Sequence, residues 1–140
     1  MTETILVAVD LEDTALTERM LAVTSDFAKL KGAQVTLVYV APDIPPSAAI
    51  QLPDDYREQT SATVSKQLGH LVGELNLPSG EAKVVVRFGS IYREMLAQAT
   101  EDKSDLIIVG CHKPDLADYL LGPNAARVVR HASCSVFVVR

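Results

Sequence analysis

The stretch Asp105-Leu106-Ile107-Ile108-Val109-Gly110 decides the fold of this chain. Its run of aliphatic residues is typical of a strand that is buried on both faces of a parallel sheet. Further along, Leu120-Leu121-Gly122-Pro123-Asn124 opens a helical pattern, and Val136-Phe137-Val138-Val139 predicts a closing strand. A strand, a helix and a second strand in this order form one unit of an α/β sheet.

Two glycines in this region, Gly110 and Gly122, predict a site for a phosphate. A glycine at the end of a parallel strand lets the backbone approach a ligand, and a glycine that opens a helix presents N–H groups at a positive helix end. Pro123 argues against the simplest version of this site, because proline has no N–H to donate. The pattern therefore indicates nucleotide binding with one donor missing.

Composition limits the class of protein. The chain has 140 residues, 48% of them hydrophobic, which fits a single domain over 1–140 with a full core. The net charge is −5 without a basic cluster, which disfavours nucleic acid and anionic membranes as partners. The apolar run Ile5–Val9 is too short for a signal peptide, and no run approaches the ~18 residues of a membrane span. These features predict a cytoplasmic protein.

Five apolar runs predict strands, and they alternate with helical patterns. The strands are Ile5–Val9, Gln34–Val40, Lys83–Phe88, Leu106–Val109 and Ser135–Val139. One face of the first helix carries Leu16, Met20, Val23, Phe27 and Leu30, with Asp13 or Thr14 as its N-cap and Gly32 after its end. The other helices are expected from Tyr56 to Leu75, after a Ser90 cap, and over about Pro123 to His131.

Alternating strands and helices predict a three-layer α/β/α fold around a five-stranded parallel Rossmann-like sheet. The uncharged first and fourth strands belong at its centre, and the charged Lys83–Arg87 near an edge, which favours the order 3-2-1-4-5. Ligands bind such sheets outside the carboxyl ends at the switch point, here between the first and fourth strands. Asp10 and Gly110 are expected there.

Two further expectations follow from this arrangement. The proline-rich segment 41–55 is predicted to be neither helix nor strand, and it is either a lid over the ligand or an exposed loop. Cys111 and Cys134 are expected on opposite rims of the sheet and without a bridge between them.

The chain resembles the universal stress protein family over essentially its whole length. The resemblance is carried by these segments: Ile5–Asp10, Phe88–Ser90, Gly110–Lys113, Leu121–Asn124 and Val138–Arg140. It implies a Rossmann-like sheet, binding of ATP or of AMP or ADP, with Mg²⁺ as a candidate companion of the triphosphate, and a homodimer formed through the last strand, Val136–Arg140. It also implies a role in the stress response.

The same resemblance implies a set of binding residues. Ala8 and Val40 would line the adenine pocket, and Asp10 would contact the adenosine end of the nucleotide. Gly110, His112 and Gly122 would lie in loops near the ribose and phosphates. Asn124 and Ala125 would open the phosphate-facing helix.

Two positions depart from the family signature, which is Gly-x-x-Gly, nine residues and then Gly-Ser/Thr. Lys113 stands at the second glycine, with eight residues before Gly122, and Pro123 replaces Ser/Thr. This resembles a short-loop subgroup, in which the charge of Lys113 would support the phosphates. A hydrogen bond to a charged group contributes ~1.5–3 kcal/mol, so the donor lost at Pro123 weakens binding by roughly 10- to 150-fold.

Enzymatic and metal-dependent functions find no support in the sequence. It has no Gly-x-x-x-x-Gly-Lys-Ser/Thr loop and no set of nucleophile, base and acid. The adjacent Cys111 and His112 do not supply the spaced ligands of a zinc site, and a receiver-type phosphoacceptor is missing after the third strand. We therefore expect a nucleotide-binding stress or signalling protein without turnover, the alternative being a dimeric interaction module that has lost its nucleotide.

Overall fold

The computed structural model describes residues 3–78, 82–111 and 122–140. Strands and helices alternate along these residues. In chain order they are β1 (Thr4–Ala8), α1 (Thr14–Lys31), β2 (Gln34–Ala41), α2 (Pro46–Ala49), α3 (Tyr56–Glu74), β3 (Lys83–Phe88), α4 (Ile91–Asp102), β4 (Leu106–Gly110), α5 (Pro123–His131) and β5 (Ser135–Val139).

The five strands form one parallel sheet in the order β3-β2-β1-β4-β5. Val7 in the middle of β1 pairs with Leu37 of β2 on one side and with Ile108 of β4 on the other. All three side chains are fully buried, as expected for central parallel strands. The predicted sheet order and the predicted central pair of strands are confirmed.

Helices cover both faces of the sheet and produce the predicted three layers. One apolar cluster joins the sheet to α1 and α3 through Leu16, Met20 and Leu68. A second cluster on the opposite face includes Met95 of α4 and Val128 of α5. The carboxyl ends of the central strands are therefore flanked by α1 on one side and by α4 and α5 on the other.

The predicted start and end of α1 are confirmed, but one residue that was predicted on its buried face is exposed. Asp13 caps the helix by accepting from the Leu16 N–H at 3.0 Å, and Gly32 ends it in the left-handed conformation at φ 62°. Leu30, predicted to face the core, is 77% exposed.

The reason for this error is that the buried face of α1 is rotated toward two threonines. Thr17 and Thr24 are buried because their hydroxyls donate to the carbonyls of Asp10 at 2.6 Å and Met20 at 2.7 Å. A hydroxyl that is satisfied by a backbone carbonyl loses much of its cost of burial. A pattern of apolar residues alone does not detect such positions.

Two smaller expectations also need correction. Segment 41–55, predicted to lack regular structure, contains the short helix α2, which begins with Pro46 at a position where proline is favoured. Ser90 precedes α4 at the N-cap position, but its side chain makes no capping hydrogen bond. Cys111 and Cys134 do not form a disulfide with each other, as predicted.

The sheet has two unlike edges. On β3, Lys83 pairs with Asp102 of α4 at 3.1 Å, and Arg87 pairs with Glu94 of α4 at 3.0 Å. Charged side chains of this kind protect an edge strand from pairing with another chain. On β5, Phe137 packs edge-on against Phe27 with ring centres 5.4 Å apart, yet it remains 39% exposed.

Candidate functional site

A cavity of about 310 Å³ opens at the carboxyl ends of β1, β2 and β4, at the predicted switch point. It crosses the end of the sheet, so that α1 contributes to one wall and α4 and α5 to the other. Its lining residues are Ala8, Val9, Asp10, Glu12, Leu16, Met20, Val38, Tyr39, Val40, Pro42, Ile91, Met95, Val109, Gly110 and Asn124. A mostly apolar cavity with a few polar groups is the usual form of a small-molecule site.

Five of the ten residues predicted from the sequence line this cavity: Ala8, Asp10, Val40, Gly110 and Asn124. Three others do not line it. Gly122 and Pro123 are exposed, and Ala125 packs into the core beneath α5. His112 and Lys113 lie outside the described residues, so their predicted contact with the phosphates stays a prediction.

Asp10 is held by the turn between β1 and α1. One oxygen of its carboxylate, Oδ1, accepts from the Glu12 N–H at 2.9 Å. Its backbone carbonyl accepts from the Thr17 hydroxyl of α1 at 2.6 Å. Because Asp13 caps the same helix, the turn and the helix fix each other, and the carboxylate is positioned before any ligand arrives.

Gly110 lines the cavity, but packing against α1 explains the absence of its side chain. A Cβ at this position would lie 2.6 Å from Cδ2 of Leu16 and 2.8 Å from Sδ of Met20. Both neighbours are buried and have little room to move. The approach of α1 to the end of β4 is therefore a sufficient reason for glycine at this position. The prediction that Gly110 also lets a ligand approach the backbone stays a prediction.

Gly122 precedes α5, as predicted, while its predicted place near the phosphates stays a prediction. Its backbone has φ 83° and ψ 159°, a conformation that is nearly restricted to glycine. It is the N-cap residue, and Pro123 occupies the first turn, where the missing N–H of proline costs no helical hydrogen bond. The N–H groups of Asn124 and Ala125 follow it at the positive end of the helix dipole.

Sequence reasoning missed much of the cavity wall. Leu16, Met20, Ile91 and Met95 were predicted only as core-facing helix residues, yet they line the cavity near the helix ends. Their place in the sequence could have identified them. An apolar residue in the first two turns of a helix that follows a parallel strand lies near the carboxyl ends of the strands. Tyr39 carried no signal, since an aromatic residue is ordinary in a strand.

Tyr39 and two carboxylates share one wall of the cavity. Partial burial raises the pKa of the Tyr39 phenol, and the negative charges of Glu12 and Asp10 raise it further. Among the described lining residues, no side chain is cationic. This part of the cavity therefore has a negative potential.

A second cavity of about 310 Å³ lies under segment 42–57 and shares Pro42 with the first. Arg57 closes one side of it. The guanidinium lies 5.0 Å from the centre of the Phe88 ring and 3.1 Å from the Asp43 carboxylate. Whether segment 41–55 moves as a lid stays a prediction.

A metal site is not evident within residues 3–78, 82–111 and 122–140. No group of three or more His, Cys, Asp or Glu side chains in those ranges is arranged to hold an ion. In the same ranges, no helix is both long and apolar enough to cross a bilayer.

The family model described as the universal stress protein family matches residues 1–140. The chain belongs to the universal stress protein family. Universal stress protein G of Salmonella typhimurium is 29% identical to it over 143 residues, which span the whole of both chains. Membership identifies the protein as a stress-response protein and confirms the resemblance found in the sequence.

Solved structures of other universal stress proteins have the same fold. UspA from Lactobacillus plantarum is 22% identical, with a TM-score of 0.78 over 99% of this chain and 97% of that one. A universal stress protein in complex with cAMP has 19% identity and a TM-score of 0.69 over 99% and 96% of the two chains. One from Archaeoglobus fulgidus in complex with dAMP has 19% identity and a TM-score of 0.66 over 99% and 98%.

Proposed function

We propose that this protein is a single-domain, cytoplasmic universal stress protein that binds an adenine nucleotide, with ATP, ADP and AMP as the candidates. The nucleotide acts as a signal in the stress response and is not turned over. The observation that carries this proposal is the cavity at the switch point of the sheet, whose lining includes both Asp10 and Gly110.

The cavity offers suitable chemistry for the adenosine end of a nucleotide. Ala8, Val40 and Met95 provide apolar surface for a flat ring. The Asp10 carboxylate accepts hydrogen bonds, and an adenosine amine or ribose hydroxyl supplies them. The volume of about 310 Å³ is at the lower end of the range for small-molecule sites, so a nucleoside fills it and phosphates extend outward.

The phosphate end is supported by fewer described groups. Asn124 lines the cavity at the start of α5, where the helix dipole favours an anion. His112 and Lys113 complete the proposed phosphate site from outside the described residues. If Mg²⁺ accompanies a triphosphate, Asp10, Glu12 and Asp13 are its candidate ligands, since Mg²⁺ prefers carboxylate oxygens.

The two related proteins bound to cAMP and dAMP support an adenine ligand. Both molecules combine adenine with a single phosphate group. The shared fold extends over 99% of this chain in both comparisons. The absence of turnover is proposed from the sequence, which lacks any recognised phosphate-transfer motif.

Calorimetric titration with ATP and with AMP tests the proposal. We expect saturable binding of at least one of them. Silence for both at millimolar concentration would refute nucleotide binding. The release of phosphate from ATP should not exceed that of a buffer blank, and a protein-dependent rate above it would contradict the lack of turnover.

A second candidate function is a dimeric interaction module without nucleotide. It is favoured by the exposed apolar edge at β5, where Phe137 is 39% exposed, and by Pro123 at the start of α5. A parallel edge without charged protection is a natural surface for pairing with a second copy. We propose a homodimer through β5 in either case, and light scattering at tens of micromolar checks it, with a monomer as the contradicting result.

A further inference from the structure

A half-buried tyrosine, Tyr92, lies among basic side chains where α4 and α5 are neighbours. It belongs to the first turn of α4 and lies outside the lining of both cavities described above. Nε of Arg93 donates to its hydroxyl at 3.1 Å. The Arg127 guanidinium of α5 lies 5.0 Å from the centre of its ring. Two permanent positive charges, from two different helices, therefore lie close to one phenol.

The other titratable side chains near Tyr92 leave this potential positive. The His131 ring of α5 lies 6.4 Å from the Tyr92 ring, centre to centre, and carries no negative charge. Glu94, the acidic residue of α4 nearest to Tyr92 in the sequence, pairs with Arg87 of β3 at 3.0 Å. The pKa of Tyr92 is lowered, chiefly by the hydrogen bond from Arg93 and further by the charges of the two nearby arginines.

Tyr39 has the opposite surroundings within the same chain. It is also half-buried, but burial together with the carboxylates of Glu12 and Asp10 raises its pKa. Deprotonation is therefore favoured at Tyr92 and disfavoured at Tyr39. Because a phenolate is a much stronger nucleophile than a phenol, the two tyrosines should differ in reactivity.

We propose that Tyr92 is a modification site of this protein, which accepts an acyl group from an activated acyl donor. Its phenolate oxygen attacks the carbonyl carbon of the donor, a C–O bond forms, and the bond from that carbon to the leaving group breaks. The phenolic proton ends on the leaving group, so that the products are an acyl-tyrosine ester and the protonated leaving group. The positive charges of Arg93 and Arg127 favour both the phenolate and the negative oxygen that develops on the carbonyl.

The size of the effect is limited by solvent. Arg93 and Arg127 are exposed, so water and salt screen their charges, and the loss of either should slow the acylation of Tyr92 about two- to fivefold. A lower pKa also weakens the nucleophile itself. For thiols this loss is only about 0.4–0.5 times as steep as the gain in the anion fraction, and the same balance for a phenol leaves a net gain.

Treatment of the full chain with N-acetylimidazole near neutral pH tests the inference. Peptide mass spectrometry gives the rate of acetylation at each tyrosine. Hydroxylamine, which cleaves aryl esters and leaves amides intact, distinguishes acetyl-tyrosine from acetyl-lysine. We expect Tyr92 to react faster than Tyr39, and this difference does not depend on nucleotide binding.

Substitutions identify the cause of the reactivity. Arg93→Gln and Arg127→Gln should each slow the acetylation of Tyr92, and Arg93→Gln should move its rise with pH to higher pH. Arg93→Lys should restore part of the rate, because lysine keeps the charge. The matched control is Arg130→Gln. Arg130 is exposed on the same helix as Arg127 and makes no described contact with Tyr92, so its substitution makes the same change in net charge elsewhere.

Three results would overturn the inference. The first is a rate at Tyr92 no higher than that at Tyr39 in the unsubstituted protein. The second is an unchanged rate and pH profile in Arg93→Gln. The third is equal slowing in Arg93→Gln and Arg130→Gln, which would show that net charge alone acts. The rate at Tyr39 is the internal control for folding, because the inference requires slowing at Tyr92 alone, whereas unfolding would bring the two rates together.

Discussion

Gly110 ends β4 and Gly122 precedes α5, and glycine is required at the two positions for different physical reasons. At Gly110 the space for a side chain is filled by Leu16 and Met20 of α1, and the backbone is ordinary. At Gly122 a Cβ would meet no atom of the described residues within 4 Å beyond its chain neighbours, but φ is +83°. Tertiary packing therefore requires glycine at position 110, whereas the local backbone conformation requires it at position 122.

Substitution of Gly110 by alanine has the largest expected effect. The new Cβ would overlap Leu16 and Met20, and overpacking of this kind lowers the free energy of unfolding by about 1–3 kcal/mol. Urea denaturation measures the change. The matched control is Gly69→Ala, within α3, where a Cβ has no described neighbour within 4 Å, and it should raise the free energy by about 0.5–1 kcal/mol.

A double substitution separates packing from backbone strain in this prediction. Leu16→Ala removes two of the three shortest contacts of the new Cβ, so the cost of Gly110→Ala should be smaller in that background, while the contact with Sδ of Met20 at 2.8 Å remains. If the two effects simply add, the contact with Leu16 is not the cause.

Substitution of Gly122 by alanine should cost less, about 1–2 kcal/mol, because it forces a side chain into a backbone conformation with positive φ at an exposed helix start. The same urea denaturation measures it. Here Leu16→Ala should give no rescue. If Leu16→Ala reduced the cost of Gly122→Ala as much as that of Gly110→Ala, packing would explain both glycines, and the proposed difference between them would be refuted.

Pro123→Ser tests the ligand side of the α5 start. It restores one N–H and adds a hydroxyl, so calorimetry should show nucleotide affinity about tenfold tighter. Pro46→Ser is the matched control, because Pro46 also occupies the first turn of a helix, but no residue of that helix, α2, lines the cavity, whereas Asn124 of α5 does. Unchanged affinity in Pro123→Ser, or an equal gain in Pro46→Ser, would count against the phosphate role of α5.

The smallest expected effect is the contribution of Tyr39 to the pH dependence of the free energy of unfolding. Its pKa in the folded protein is raised by burial and by Glu12 and Asp10. Its contribution to stability is therefore complete below the ordinary tyrosine pKa near 10 and is lost as pH rises through the folded-state value. Unfolding free energies measured across this alkaline range should decline less in Tyr39→Phe.

Tyr92→Phe is the control for the predicted loss of stability at alkaline pH. The pKa of Tyr92 is lowered, chiefly by the hydrogen bond that Arg93 donates to its hydroxyl at 3.1 Å. A lowered value contributes stability above the ordinary pKa, so Tyr92→Phe should not reduce the alkaline decline. A decline equal in the unsubstituted protein and in Tyr39→Phe would contradict the assignment to Tyr39.

The amino-acid sequence by itself determined the parallel sheet and its order. Uninterrupted apolar strands such as Leu106–Val109 belong only in the centre, and charged strands such as Lys83–Phe88 only at an edge, so the pattern of charge leaves few arrangements. It also placed Asp10 and Gly110 at one rim, because the carboxyl ends of parallel strands meet there. Gly122 was identified by its place before a helix, which is a local property.

Only the tertiary structure decided the limits of the buried face of α1 and which side chains reach the cavity. Thr17 and Thr24 are buried in place of Leu30 because backbone carbonyls satisfy their hydroxyls. Tyr39, Met20 and Met95 line the cavity because the helices cross the strand ends there. Such proximity depends on how segments that are distant in the sequence pack together, and it cannot be predicted from the spacing of residues within one segment.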